Sequence, residues 1–126
     1  ARPDVLEWLR FHCGAPVVVR PEAARFALVA DPSAMPALQA FDAGTAEYPD
    51  RAATVIVQAR ALLGGVGRRL AGPGIEREAR LDVDGVPEAF WIWLRDNHAA
   101  FPRGVDTVLT AGRMIAALPR TTRVEA

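Results

Sequence analysis

Lysine is absent from this chain: all fifteen basic residues among its 126 are arginine. Without a lysine amine there is no Schiff base to pyridoxal phosphate or to a carbonyl substrate, and no phosphate-cradling loop of the kind that ends in Gly-Lys. An arginine- and alanine-rich codon usage accounts for the bias, and the chemical exclusion holds whatever its cause. Cysteine occurs once, at Cys13, so an intramolecular disulfide is excluded. Histidine occurs twice, at His12 and His98, far apart in sequence, and no CxxC or HxxxH spacing offers a zinc site. Apolar runs are only a few residues long, too short to cross a bilayer, and Ala1-Arg2-Pro3-Asp4-Val5-Leu6 lacks the basic stretch and apolar core of a secretory signal. Acidic and basic residues cancel to a formal charge of zero, which argues against broad capture of nucleic acid or an anionic membrane. These absences predict a soluble, cytoplasmic chain that recognises partners by shape.

What is present has the size of one domain, residues 1–126, with about half of its residues apolar. Pro3 to Cys13 predicts a helix with Val5, Leu6, Leu9 and Cys13 on one stripe, stopped by Gly14. Ala15 to Val19 and Ala24 to Ala30 predict short strands. After Asp31-Pro32-Ser33 a short apolar helix containing Leu38 and Phe41 is expected, turned back by Ala43-Gly44-Thr45. Thr54 to Ala59 reads as a strand covered on both faces. Gly64-Gly65-Val66-Gly67 reads as a glycine-rich strand connection, since it lacks the spacing and the lysine of a phosphate loop. Arg68 to Ala71 and Ala79 to Val83 read as further extended pieces linked through Gly72-Pro73-Gly74-Ile75. Pro87 to His98 predicts a helix with Val86, Phe90, Trp93 and Leu94 on one face and Trp91 beside it. Val105 to Thr110, the turn Ala111-Gly112 and Met114 to Leu118 predict a hairpin ended by Pro119. The alternation defines an α/β class with a mixed sheet.

A nucleophilic triad needs a Ser or Cys backed by a base, yet Ser33, Cys13, His12 and His98 have no supporting motif. His12 and Cys13 are neighbours on a helix and point roughly 100 degrees apart, so adjacency does not pair them, and Cys13 reads as a small packed residue. The acid pairs Asp82 with Asp84 and Glu76 with Glu78 read as exposed acids alternating along a strand. Trp8, Trp91 and Trp93 read as core or interface packing. The most unusual polar segment is Pro119-Arg120-Thr121-Thr122-Arg123-Val124-Glu125. There Arg120, Thr121, Thr122 and Arg123 are candidates to hold a phosphate or phosphonate oxygen, although capping carbonyls or bridging to a partner's carboxylates is the favoured use.

Gly104-Val105-Asp106 with Thr107-Val108-Leu109-Thr110, followed by Ala117-Leu118-Pro119-Arg120-Thr121-Thr122-Arg123-Val124-Glu125, resembles the end of the PhnH family. Arg10-Phe11-His12 with Ala15-Pro16-Val17, Ala43-Gly44-Thr45-Ala46, Thr54-Val55-Ile56-Val57-Gln58 and Leu70-Ala71-Gly72-Pro73-Gly74-Ile75 follow in the family's order. Each motif is weak alone; their collinearity across nearly the whole chain is specific. The resemblance implies a three-layer α/β/α fold with a mixed sheet, like that of pyridoxal-phosphate-dependent transferases but without cofactor. It further implies a non-catalytic subunit, homodimeric in isolation, that joins PhnG, PhnI and PhnJ in the carbon-phosphorus lyase core. That assembly converts an alkylphosphonate and a nucleoside triphosphate to ribose 1-phosphonate 5-triphosphate, with catalysis attributed to PhnI and PhnJ. No catalytic residue, metal or cofactor is expected here; the alternative is a phosphate- or nucleotide-binding subunit using the Arg120–Arg123 tail. Family members carry a further N-terminal portion of several dozen residues before the matching region.

Overall fold

Phe26-Ala27-Leu28-Val29, Thr54-Val55-Ile56-Val57-Gln58 and Asp106-Thr107-Val108-Leu109-Thr110-Ala111 are rich in β-branched and aliphatic residues, a composition suited to pleated, covered strands. In the computed structural model, which describes residues 3–73 and 79–125, they are β1 (Phe26–Val29), β2 (Thr54–Gln58) and β5 (Asp106–Ala111). The three run parallel with Leu28, Ile56 and Val108 in register, and β6 (Met114–Leu118) returns antiparallel on β5, giving a mixed sheet of order β1-β2-β5-β6.

A second sheet, antiparallel and of order β4-β3-β7, is built from β3 (Ala61–Ala71), β4 (Ala79–Asp84) and β7 (Arg123–Glu125). One mixed sheet is the expectation from sequence; the strands divide between two. The reason lies in the two-residue link Ala59-Arg60 between β2 and β3. Both edges of β2 are already taken by parallel neighbours, and a parallel crossover needs a dozen or more residues, so β3 starts a sheet of its own.

Other expectations are corrected locally. Ala15 to Val19 forms no strand: Pro16 has no N–H to donate, and Val18 and Val19 lie exposed. The helix around Leu38 is a single 3₁₀ turn, Leu38–Ala40. The Gly64–Gly67 run is not a connection but the interior of β3, where the register with β4 shifts between Gly64 and Arg68, as at a bulge. The polar tail contributes strand β7, pairing Arg123 with Ala71 and Val124 with Leu70. Residues Gly74 to Glu78, including Glu76 and Glu78, lie outside the described residues.

The core lies between the sheets. Val55, Val57 and Leu109 project from the inner face of the mixed sheet, Leu62, Leu70 and Leu81 from the antiparallel one, and Leu38 and Phe41 close one side. Helix α2 (Ala89–Ala99) adds Phe90, Trp91 and Leu94, with Phe90 fully buried, Trp91 only 5% exposed and their rings edge to face at 5.5 Å. Each such side chain stabilises by roughly 1.5–3 kcal/mol relative to exposure. The buried stripe of α2 is therefore Phe90, Trp91, Leu94 and Asn97, rotated from the expected one, with Trp93 half-buried. Helix α1 (Pro3–Cys13) forms as its periodicity predicts, yet none of its residues is buried. Trp8 and Phe11 are exposed, and Cys13 is exposed rather than packed. Among the described residues no helix is long and apolar enough to cross a membrane.

Candidate functional site

The motifs that carry the family resemblance are scattered along the sequence, and several of them meet at the amino-terminal end of the parallel strands. Asp106 opens β5 there, opposite Thr54 at the start of β2. Arg120 follows β6 on the Pro119–Thr122 turn, which is closed by a bond of 2.8 Å from the Thr122 N–H to the Pro119 carbonyl. The Arg120 backbone N–H donates to Asp106 Oδ1 at 2.9 Å, and its guanidinium donates to both carboxylate oxygens, Nη2 to Oδ2 at 3.0 Å and Nε to Oδ1 at 3.3 Å. Nη1 donates to the Pro49 carbonyl in the turn that follows Ala43-Gly44-Thr45-Ala46. Only 15% of the Arg120 side chain is exposed. A planar fork held by a carboxylate on two sides and a carbonyl on the third has most of its donors engaged within the chain.

Burial alone would push the Asp106 carboxyl up. The hydrogen bonds from the Arg120 guanidinium and backbone N–H, with the arginine charge, outweigh it and hold the carboxyl below the usual carboxylate range.

The neighbouring contacts fix this junction from the helix side. Asn97, buried on α2, donates from Nδ2 to the Val105 carbonyl at 2.9 Å and accepts the Val105 N–H on Oδ1 at 2.8 Å. His98 Nδ1 lies 3.4 Å from the Arg120 carbonyl. Gly104 donates to the Ala43 carbonyl at 2.9 Å and has φ +138°; a Cβ there would sit 2.9 Å from Asn97 Oδ1. Only glycine allows helix, strand and tail to approach so closely. Gly72, from another of the family motifs, presses on the tail as well: a Cβ on it would lie 2.8 Å from the Thr121 carbonyl oxygen.

Of the four candidate tail residues, Arg120 lies inside this junction, Thr122 is buried, Thr121 is half-buried, and Arg123 is exposed on β7. The structure brings Arg120 to Asp106, Asn97 and His98, and sets Arg123 on the antiparallel sheet beside Ala71. Asn97 and the Pro49 carbonyl escaped the sequence reading, because an amide on a helix and a backbone oxygen in a turn carry no motif. The other sequence candidates lie apart. His12 packs against the rings of Trp8 and Phe11 at 4.6 and 4.9 Å, Asp82 and Asp84 stand exposed on β4, and no cluster of three His, Cys, Asp or Glu side chains forms among the described residues.

An α/β fold of a mixed and an antiparallel sheet, with its charged tail tied into the sheet edge, is the class that this geometry defines. The family model described as bacterial phosphonate metabolism protein (PhnH) matches residues 1–125, and the chain belongs to that family. It is 42% identical over 122 residues to the alpha-D-ribose 1-methylphosphonate 5-triphosphate synthase subunit PhnH of Rhizobium meliloti (strain 1021), covering 94% of this chain and 60% of the relative. It is 40% identical over 81 residues to the putative C-P lyase subunit protein HtxG of Stutzerimonas stutzeri, covering 64% of this chain and 42% of the relative.

Proposed function

We propose that this chain is a non-catalytic subunit of a cytoplasmic carbon-phosphorus lyase assembly. In that reading it supports conversion of an alkylphosphonate and a nucleoside triphosphate to ribose 1-phosphonate 5-triphosphate, with PhnG, PhnI and PhnJ as partners and a homodimer as its isolated state. The names of the two relatives, a synthase subunit and a putative C-P lyase subunit, support the pathway. The observation that carries the subunit role is the outer face of the mixed sheet. Phe26 and Leu28 on β1, Ile56 on β2, Val108 on β5 and Ile115 on β6 share that face by register, with Phe26 73% and Ile115 71% exposed. Parallel strands are ordinarily covered on both faces, and an apolar sheet face of this kind marks a surface that further polypeptide covers; in this reading a partner subunit supplies the cover. The likeness to the pyridoxal-phosphate transferase architecture, with three layers and additional N-terminal chain, belongs to the same proposal.

Tandem-affinity purification from cells expressing this protein with PhnG, PhnI and PhnJ tests it. Recovery of all three partners is expected, and repeated recovery of the protein alone would contradict the reading. The tail is assigned to structure, because the Arg120 guanidinium already holds Asp106 and the Pro49 carbonyl. Binding of ATP or methylphosphonate that disappears in Arg123→Ala would instead favour the phosphate-holding tail.

A further inference from the structure

We propose that the crevice at the carboxyl ends of β1 and β2 binds a phosphorylated ribose, with Asp31 and Gln58 on the sugar hydroxyls and Arg60 on the phosphate. The choice of sugar rests on the phosphonate-metabolism reading above; the location does not. In open α/β sheets small ligands bind in crevices outside the carboxyl ends of the strands; β1 and β2 are sequential neighbours rather than a point where strand order reverses, so it is the side chains of the two following segments that mark this crevice. The Arg120 junction occupies the opposite, amino-terminal edge, about 13 Å away along β2 at roughly 3.3 Å per residue.

At the carboxyl edge, the segment leaving β1 supplies Ala30, Asp31 and Ser33, and the segment leaving β2 supplies Gln58 and Arg60. These residues line an open crevice of about 460 Å³, large enough for a pentose phosphate. Its floor is apolar and packed, with Pro32 buried and Ala59 8% exposed.

The polar groups around that floor are of three kinds. Asp31 Oδ1 accepts from the Ser33 hydroxyl at 2.7 Å and from its N–H at 3.2 Å, which fixes the carboxylate at the crevice wall. The Ser33 side-chain and backbone hydrogen bonds also hold the Asp31 carboxyl below its usual range, so it is ionised at neutral pH. An ionised carboxylate at the end of a parallel strand is the group that takes ribose hydroxyls in dinucleotide-binding sheets. The Gln58 amide both donates and accepts, matching a second hydroxyl. Arg60 makes a 3.4 Å contact to Asp84, with both side chains mostly exposed, a loose pairing that a phosphate with better geometry displaces.

Isothermal titration of the full chain with ribose 5-phosphate tests the site, with ribose alone and inorganic phosphate as separate arms. Saturable binding of ribose 5-phosphate is expected, at least tenfold tighter than either arm. Asp31→Asn and Arg60→Ala should each weaken it at least tenfold, while Arg123→Ala leaves it unchanged. Both substituted side chains are exposed, so circular dichroism and melting should match the wild type. No saturable binding by the wild type, or wild-type affinity in either variant, overturns the proposal. Wild-type protein that binds ribose 5-phosphate yet fails to recover partner subunits supports the crevice and overturns the subunit reading instead.

Discussion

Asp106 and Arg120 are the residues on which the amino-terminal edge depends, and their energetics have a definite sign with pH. The Asp106 carboxyl is held below its ordinary value in the folded chain. The unfolded chain therefore binds more protons as acid is added, and the pair's stabilisation is complete above the unfolded carboxylate value of about 3.9 and lost as pH falls through the folded one. Asp106→Asn is expected to cost about 1–2 kcal/mol at pH 7, the low end for charged hydrogen bonds because 37% of the Asp106 side chain is exposed. In urea titrations that deficit should shrink below about pH 4; a deficit independent of pH would show that the charge is not what holds the tail. Thr107 sits one residue further on, 1% exposed, with a hydroxyl that makes no hydrogen bond among the described residues. Thr107→Val replaces an unpaired buried hydroxyl by a methyl group of similar size and should stabilise by about 1 kcal/mol. A loss of stability in the same titration would reveal a bond to that hydroxyl.

At the scale of elements, the apolar outer face of the mixed sheet separates folding from association. Phe26→Arg and Ile115→Arg alter exposed positions on its two edge strands and should move stability by no more than about 0.5 kcal/mol. Recovery of partner subunits should fall at least tenfold in the same variants; full recovery with both arginines present would remove this face from the interface. Much of this architecture was legible in residue order. The β-branched run Thr54–Gln58, the hairpin about Gly112 and the helix containing Phe90 each carry a local periodicity that tertiary contacts reinforce. The division into two sheets was not legible, because it follows from which edges of β2 are taken, and no local pattern encodes that. Strand β7 was missed for a related reason: three residues with a charge at each end have no strand signature, and it is pairing with Arg69–Ala71 that makes them one. The tail is unusual in its arginines and threonines, but its tie to Asp106 joins residues fourteen apart and depends on a turn that only the folded chain closes.

The whole molecule combines one core, an edge locked by Asp106, Asn97 and Arg120, an opposite edge that opens into a polar crevice, and an apolar sheet face exposed to solvent. In the proposed subunit role, the junction fixes one edge of the sheet and the apolar face is the surface offered to other chains. Family membership places the chain in phosphonate metabolism, and several of the segments that carry the sequence resemblance meet at the junction: Gly72, Ala43, Gly104 to Asp106, and Arg120 to Thr122. The most direct test of the central claim is native mass spectrometry of the assembly purified from cells that co-express this protein with PhnG, PhnI and PhnJ. The account predicts a complex containing all four polypeptides, with this chain lost when Phe26 and Ile115 are both arginine. A stable PhnG–PhnI–PhnJ complex that never contains the wild-type chain would contradict it.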